Sequence, residues 1–256
     1  MSGINFFEKG EGQALVLLHG FCEIGAMWED FANSLSDKFR VICPDLPGMD
    51  GSELSSDSLS MEEVAVILEE WMEEQDIQNP IVIGHSLGGY VTLALAELMG
   101  PKLKAIGLFH STAFPDNEDK KGMRDRTVIF LKKHGVDTFV TSFVPPLFPE
   151  NRREELNQEI QTAISQAKKC SLEGLIAFTK AMRNRKDRRE VLQNFPGGKL
   201  MIAGELDTAV PIEASQAHKS FVTDYVELAG TGHVGMLERK AETIEIVRNF
   251  CLKHSS

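Results

Sequence analysis

Short apolar runs alternate along the chain with longer segments in which apolar residues recur at helical spacing. The runs are nearly continuous, without regular polar alternation, which is typical of parallel strands that are buried on both faces. They cover residues 14–18, 39–43, 81–83, 105–109, 200–203 and 225–228. Runs that alternate with helices in this way predict an α/β fold, with a mostly parallel central sheet and helices on both faces.

Four of the intervening segments carry helix signals. Ser60 and Glu63 have the spacing of a capping box and introduce the stretch MEEVAVILEEWMEEQ. The stretch LGGYVTLALAELM is apolar nearly all round, so we expect it to form a central, buried helix. Two later stretches, PIEASQAHKSF and KAETIEIVRNFCLK, each have one apolar stripe and predict helices with a single buried face.

The segment 116–190 breaks the alternation, because it carries helix signals and no strand pattern. Pro145, Pro146 and Pro149 divide it, since proline stops a helix. We therefore predict a core made of residues 1–115 and 191–256, with a helical cap of residues 116–190 inserted in it. The cap has 16 basic and 12 acidic residues, a net charge of +4, whereas the rest of the chain carries −15. A basic cap helps docking on an acidic body or favours anionic substrates, although an ordinary solvated surface explains these charges more simply.

Composition is that of an ordinary globular protein and excludes several classes of partner. The 256 residues are 42% hydrophobic, enough for one large core. The net charge of −11 disfavours nucleic acids and anionic membranes. No apolar run approaches the ~18 residues of a membrane span, and the first residues lack the pattern of a secretory signal. The cysteines are far apart, which favours reduced thiols and a cytoplasmic location. They are Cys22, Cys43, Cys170 and Cys251.

Residues 84–88 read GHSLG and fit the motif G-x-S-x-G. The motif follows a buried-strand pattern and precedes a helix, which is the strand–turn–helix setting of a nucleophile elbow. The sharp turn strains the backbone of Ser86, and side chains in place of Gly84 and Gly88 would collide. The serine hydroxyl then lies exposed at the end of the strand, above the positive end of the next helix.

A serine hydroxyl is a poor nucleophile without a base, and two later loops offer the partners it needs. His233 lies in the loop AGTGHVGML, and Asp207 follows the preceding strand in AGELDTAVP. Taken alone, each is more often a turn or surface residue. Together with Ser86 they all fall at strand ends, where a site can assemble. Glu205 is the rival acid, and we prefer Asp207 because its D-x-x-x-P setting is nearer the loop tip.

Two backbone amides should bind the oxyanion of an acyl-transfer reaction. Leu87, directly after the serine, supplies one by position. Phe21, in the segment His19-Gly20-Phe21 after the first core strand, is our second donor. His19 is expected to be a structural hydrogen-bonding residue, and His85 receives no role.

Together these residues make the chain resemble the serine hydrolases of the α/β-hydrolase-fold superfamily. The segments HGF, DLPGMDGS, GHSLGG, GELDTAVP and GTGHVGMLE resemble its landmarks, in the same order, over residues 19–238. The resemblance implies Ser86 as nucleophile, Asp207 as acid and His233 as base, with Asp45 as a structural residue that braces a loop. Relatives with an aspartate nucleophile, such as haloalkane dehalogenases and epoxide hydrolases, are excluded by Ser86.

The chain departs from the superfamily pattern at two places. Met49 replaces the histidine of D-x-P-G-H-G-x-S, and the following glycine falls at Gly51. This changes the expected loop conformation but not the triad. The N-terminus has room for one strand where many relatives have a hairpin, so a sheet of about seven strands is expected.

The substrate should bind between sheet and cap, in a pocket with apolar and aromatic lining. Plain core packing explains most of the candidate residues equally well. They are Phe21, Cys22, Met27, Trp28, Met49, Leu87, His110, Phe139, Phe143 and Phe148. Such a lining favours a small-to-medium acyl or aryl ester as the small-molecule partner.

Three functions remain open on this sequence. The first is hydrolysis of a carboxylic ester, thioester or lactone through an acyl-enzyme. The second is a cofactor-free perhydrolase, a C–C hydrolase or a lyase on the same triad, since one scaffold hosts many reactions. The third is a ligand receptor that retains the fold, which a degenerate triad would favour. No cofactor is expected and no Cys/His spacing suggests a metal. The oligomeric state is open, with a homodimer as one option.

Overall fold

Seven strands form one sheet in the computed structural model, which describes residues 3–54, 56 and 58–255. Their order in the sheet is β1-β3-β2-β4-β5-β6-β7. The strands are β1 (Phe6–Lys9), β2 (Gln13–Leu18), β3 (Phe39–Pro44), β4 (Ile81–His85), β5 (Ala105–Phe109), β6 (Gly198–Gly204) and β7 (Asp224–Leu228). All neighbours pair in parallel except β1, which is antiparallel to β3. The prediction of a mostly parallel sheet of about seven strands is confirmed.

Burial explains why the apolar runs are nearly continuous. Every residue of β4 and β5 is buried, so both faces of these central strands need apolar side chains. The edge strand β7 is only partly buried, and its sequence accordingly mixes polar with apolar residues. The carboxyl ends of the parallel strands meet at one edge of the sheet, where the loops after β2, β4, β5, β6 and β7 come together.

Helices cover both faces of the sheet and form the inserted cap. They are α1 (Glu29–Leu35), α2 (Met61–Glu74), α3 (Leu87–Met99), α4 (Glu118–Phe143), α5 (Asn157–Ala167), α6 (Leu172–Asn184), α7 (Arg189–Asn194), α8 (Ile212–Gln216), α9 (Gly235–Glu238) and α10 (Lys240–His254). The predicted capping box is present, because the Ser60 hydroxyl accepts from the Glu63 amide and the Glu63 carboxylate accepts from the Ser60 amide. The helix α3 is buried at nearly every position, as its sequence predicts.

One predicted helix is shorter than its apolar stripe. The stretch PIEASQAHKSF forms the short helix α8 and a separate 3₁₀ turn over Lys219–Phe221. His218 lies between the two, fully buried, and its ring accepts a hydrogen bond from the Ala113 amide at 3.2 Å. The ring of His218 thus contacts the segment that follows β5.

The segment between β5 and β6 contains α4, α5, α6 and α7, and no strand in the part of the chain that the structure describes. The helix α4 ends at Phe143, directly before the prolines that were expected to stop it. The exact limits of the cap at residues 116 and 190 remain predictions.

Charged contacts tie the cap to the acidic body. The Arg188 side chain is almost fully buried, with its guanidinium 2.7 Å from Glu62 of α2 and 3.0 Å from Glu97 of α3. Lys169 lies 3.3 Å from Asp50, in the loop after β3. These pairs account for part of the cap's positive charge. Among the helices of the described residues, none has the length and apolar character that crossing a bilayer requires.

Candidate active site

Ser86 occupies the turn between β4 and α3. Its backbone has φ 48° and ψ −110°, a combination that costs conformational energy in a residue with a side chain. A Cβ atom on Gly84 would lie 2.1 Å from the Gly88 carbonyl carbon, and one on Gly88 would lie 2.4 Å from the Leu18 carbonyl oxygen. Only glycine fits at either position, so the spacing of G-x-S-x-G is dictated by the close approach of α3 to β4 and β2.

Ser86, His233 and Asp207 form one chain of hydrogen bonds. The Nε2 atom of His233 is 2.9 Å from the Ser86 hydroxyl oxygen, and its Nδ1 atom is 2.8 Å from Asp207 Oδ2. His233 and Asp207 are buried, whereas Ser86 is partly exposed. A carboxylate only accepts hydrogen bonds, so Nδ1 carries the ring proton and Nε2 is free to accept the serine proton. The structure therefore brings together the three residues that the sequence singled out.

The Asp207 carboxylate accepts three hydrogen bonds and has a second imidazole close by. Its Oδ1 atom accepts from the amides of Ala209 and Val210, each at 2.8 Å, while Oδ2 faces Nδ1 of His233 and, at 3.3 Å, Nδ1 of His110. Burial alone would raise the pKa of Asp207, but the two imidazoles outweigh it and hold that pKa well below its usual value. The carboxylate is thus ionised across the physiological range.

Glu205, the rival acid, points elsewhere. It is exposed, and its carboxylate accepts from the Gly230 amide at 2.7 Å. Glu205 therefore binds the loop after β7, and the carboxylate that contacts His233 is that of Asp207.

Three residues predicted to line the substrate pocket lie inside the protein instead. His110 is fully buried behind Asp207, and its Nε2 atom accepts from the Gly235 amide at 3.2 Å. Trp28 packs against Phe31 and Phe109 in the core, with ring centroids 5.1 and 5.9 Å away. Met49 is fully buried and pairs with Cys170 of the cap. They were predicted to line the pocket because they are close in sequence to segments that form the site. Their side chains, however, point into the core.

A narrow apolar cleft, which Val234 of the His233 loop helps to line, contains other predicted lining residues. It has a volume of about 20 Å³, so in this structure it has room for little more than a water molecule. Its lining includes Phe21, Cys22 and Met27 from the core and Val144, Leu147 and Ala163 from the cap. The rings of Phe143 and Phe139 stand edge-on to Phe21 at 5.7 and 6.1 Å, whereas Phe148 is fully buried. Binding of any larger molecule requires these cap side chains to move.

Cys22, beside the predicted oxyanion donor Phe21, is a buried thiol. Burial raises its pKa well above the usual value, and the neighbouring Cys170 and Glu23 raise it further. Leu87 is the first residue of α3, so its amide has no acceptor in a preceding helical turn and is available to a ligand. The oxyanion role of the Phe21 and Leu87 amides stays a prediction.

His19 and Asp45 hold loops, in agreement with the structural parts expected of them. His19 is fully buried, and its Nε2 atom accepts from the Leu46 amide at 2.9 Å. Asp45 accepts from the Gly25 amide at 2.6 Å and from the Asn5 side chain at 2.8 Å. Burial raises the pKa of Asp45 to about 6.

Sequence reasoning missed a second carboxylate–imidazole pair beside the triad. His85 Nδ1 lies 2.9 Å from Glu23 Oε2, and His85 Nε2 lies 2.8 Å from the carbonyl oxygen of His233. The one signal for Glu23 in the sequence is a single charged residue between apolar neighbours, in the segment GFCEIG. The cap also contacts the triad, since the His233 amide donates to the Leu147 carbonyl at 2.8 Å.

Three buried histidines are held neutral by backbone donors. In His19, His110 and His218, one ring nitrogen accepts a hydrogen bond from an amide, so that nitrogen carries no proton. Burial lowers the pKa of each of these three side chains to about 4. Each therefore resists protonation in the folded protein at a pH where a free histidine accepts a proton.

We expect the free energy of unfolding to fall as the pH decreases from about 6.5 to about 4. In this window the unfolded chain binds protons on His19, His110 and His218 that the folded chain does not, at a cost of up to about 1.4 kcal/mol per pH unit for each group. His85, whose pKa is raised, and Asp45, whose pKa is raised to about 6, act in the opposite direction and offset part of this loss. Urea midpoints at about pH 7 and about pH 5 measure the effect. The variant His218→Asn should lose less stability between these two pH values than the unaltered protein, and equal midpoints in the unaltered protein would contradict the expectation.

Comparison with known proteins agrees with this architecture. The model of a family described as "Alpha/beta hydrolase family" matches residues 15–246. The pimeloyl-[acyl-carrier protein] methyl ester esterase of Methylococcus capsulatus is 26% identical over 262 residues, which cover 97% of this chain and 98% of that protein. The protein of the same name from Vibrio cholerae is 43% identical over 88 residues, but this match covers only 34% of this chain and 32% of the relative.

A solved structure is similar to this chain in its fold. A thermophilic esterase from Thermogutta terrifontis superimposes with a TM-score of 0.93 at 25% identity. The superposition covers 99% of this chain and 94% of that one. The similarity therefore includes the cap as well as the sheet.

Proposed function

Because this chain belongs to the alpha/beta hydrolase family and is a hydrolase of that family, we propose that it cleaves small-to-medium carboxylic esters through an acyl-enzyme on Ser86. The observation that carries the proposal is the unbroken chain of hydrogen bonds from the Ser86 hydroxyl through His233 to Asp207. The class includes thioesters and lactones, which pass through the same acyl-enzyme.

In the first half of the reaction His233 acts as general base. Its Nε2 atom takes the proton of the Ser86 hydroxyl while Oγ attacks the carbonyl carbon of the ester. The amides of Phe21 and Leu87 bind the resulting oxyanion, and each such donor typically contributes about 10²–10³ in rate. His233 then donates its new proton to the leaving alkoxide, which departs as an alcohol.

In the second half water takes the place of the alcohol. His233 removes a proton from the water, whose oxygen attacks the acyl-enzyme carbonyl, and the acid is released as Ser86 regains its proton. Asp207 orients the imidazole through Nδ1 and stabilises its charged form in both halves. The chemistry of these residues is complete without a metal or cofactor.

The cleft supports an apolar acyl or aryl group of modest size. Phe21, Met27 and Leu237 present apolar surface beside His233, and the free space is small. Hydrophobic lining with few polar groups favours apolar esters over sugars or peptides. The curated relatives from Methylococcus and Vibrio are named as methyl ester esterases, which agrees with a small leaving alcohol.

The test is ester turnover combined with labelling of the nucleophile. We expect the protein to hydrolyse p-nitrophenyl acetate and butyrate faster than the octanoate, because a longer acyl chain must displace more of the cap side chains that line the cleft. A fluorophosphonate should add one label per chain, on the peptide that contains Ser86, and protein unfolded by heat should take up none. Absence of both turnover and labelling, or a label on another serine, would reject the proposal.

A further inference from the structure

His85 differs from His19, His110 and His218 in what its ring nitrogens face. His19, His110 and His218 each have a backbone N–H donor at one nitrogen, whereas both nitrogens of His85 face acceptors. The His233 carbonyl, 2.8 Å from Nε2, can only accept, so Nε2 carries a proton. The charge of the ring therefore depends on whether the proton between His85 Nδ1 and Glu23 Oε2 is bound to the imidazole or to the carboxylate.

The surroundings of Glu23 place that proton on His85. The oxygen that faces Nδ1, Oε2, also accepts the Gly20 amide, so this oxygen has two donors directed at it. An ionised carboxylate oxygen satisfies both. A Cβ atom on Gly20 would lie 2.7 Å from both Oε2 and Nδ1, so the backbone covers the pair closely.

Electrostatics agrees with this assignment. Burial opposes charge on either group, yet their mutual attraction outweighs it, so the pKa of His85 is raised and that of Glu23 is lowered. Other titratable groups face the pair from the surrounding elements. They are His19 and Cys22 after β2, His110 after β5, Cys170 of the cap, Asp207 after β6 and His233 after β7.

We propose that Glu23 and His85 form a permanently charged carboxylate–imidazolium pair that positions the catalytic base and the oxyanion loop. His85 holds the carbonyl of His233 through Nε2–H, with the two rings only 4.9 Å apart at their centroids. Glu23 holds the Gly20 amide, next to Phe21. The pair thus links the loop after β2, through the Gly20 amide, to the loop after β7, through the His233 carbonyl. His85 itself directly precedes the nucleophile Ser86. The catalytic consequence of the pair rests on the proposed hydrolase function.

The pair acts on groups that must hold their geometry within a fraction of an ångström. A displacement of about 1 Å in a reacting group can cost ~10²-fold in rate. Neither Glu23 nor His85 is hydrogen-bonded to the Ser86 hydroxyl, so both act on the reaction as positioning residues, and Glu23 also contributes to the lining of the apolar cleft. Loss of the pair should therefore lower kcat, with little effect on KM for an ester that contacts neither side chain.

Nitrogen-15 NMR of the full-length protein reads the charge of the pair directly. Near neutral pH we expect both ring nitrogens of His85 to be protonated, while His19, His110 and His218 each show one protonated nitrogen. In Glu23→Gln the negative charge that stabilises the imidazolium is absent, so Nδ1 should lose its proton at a lower pH than in the unaltered protein, while Nε2, which faces the His233 carbonyl, keeps its proton. An unprotonated Nδ1 in the unaltered protein would overturn the ion pair.

Kinetics test the positioning role. We expect Glu23→Gln to lower kcat for p-nitrophenyl acetate by about 10- to 100-fold, with a much smaller change in KM. Glu69→Gln, the same change in a surface pair with Lys102, is the matched control. Equal kcat values in the two variants would overturn the positioning role. The NMR measurement of the protons on His85 requires neither a substrate nor a variant. It therefore supports or overturns the ion pair even if the protein does not hydrolyse esters.

Discussion

Replacement of Ser86 by alanine is expected to lower kcat for ester hydrolysis by about 10⁵-fold or more, because among the described residues the Ser86 hydroxyl is the one bound to Nε2 of the catalytic base. Only the hydroxyl 2.9 Å from His233 Nε2 is removed. Alanine and serine meet the same strain at φ 48°, so the free energy of unfolding should change little. Any residual rate would come from binding and the oxyanion amides.

A neighbouring serine provides the control for this experiment. The Ser111 hydroxyl donates to the carbonyl oxygen of Ser86 at 2.7 Å but does not contact His233. Ser111→Ala loses one hydrogen bond of about 1 kcal/mol, and its activity should stay within about tenfold of the unaltered protein. Stopped assays with p-nitrophenyl butyrate and urea titrations measure both variants. Retention by Ser86→Ala of activity comparable to Ser111→Ala would remove Ser86 from the mechanism.

The sequence predicted the nucleophile turn at the level of single residues because local contacts decide its geometry. Gly84, Ser86 and Gly88 lie within one turn of chain, and the collisions that forbid larger residues come from adjacent backbone. The buried helix α3 began and ended where its apolar pattern did. The preference for Asp207 over Glu205 also rested on a local turn, and the structure directs Asp207 to His233.

The parts that sequence reasoning missed depend on contacts between distant segments. His85 and Glu23 are 62 residues apart, and only the order of β2 and β4 in the sheet brings them together. His110 was expected in the substrate pocket, because the end of β5 is near the site. Its inward direction is fixed by Asp207 and by the Gly235 amide, from the loops after β6 and β7. Strand ends can thus be located from the sequence more easily than the directions of the side chains that follow them.

Replacement of Asp207 by asparagine is expected to lower kcat by about 10⁴-fold, through the tautomer of His233. Both carboxylate oxygens accept: Oδ1 from two backbone amides, and Oδ2 from the ring of His233, with His110 beside it. An amide has only one oxygen. The amides of Ala209 and Val210 cannot change their protonation, whereas an imidazole can move its proton from one nitrogen to the other.

The asparagine oxygen should therefore face the backbone amides, and its NH₂ group should face His233. The ring must then accept at Nδ1 and carry its proton on Nε2, where it can no longer accept the proton of Ser86. Glu205→Gln, the same chemical change at the rival acid two residues earlier, is the matched control and should remain within a few-fold of full activity, because Glu205 is exposed and contacts Gly230 instead. kcat for p-nitrophenyl acetate, together with urea midpoints to exclude unfolding, measures both variants. A larger loss in Glu205→Gln than in Asp207→Asn would transfer the acid role to Glu205, since only the true partner of His233 can dictate which of its nitrogens is free.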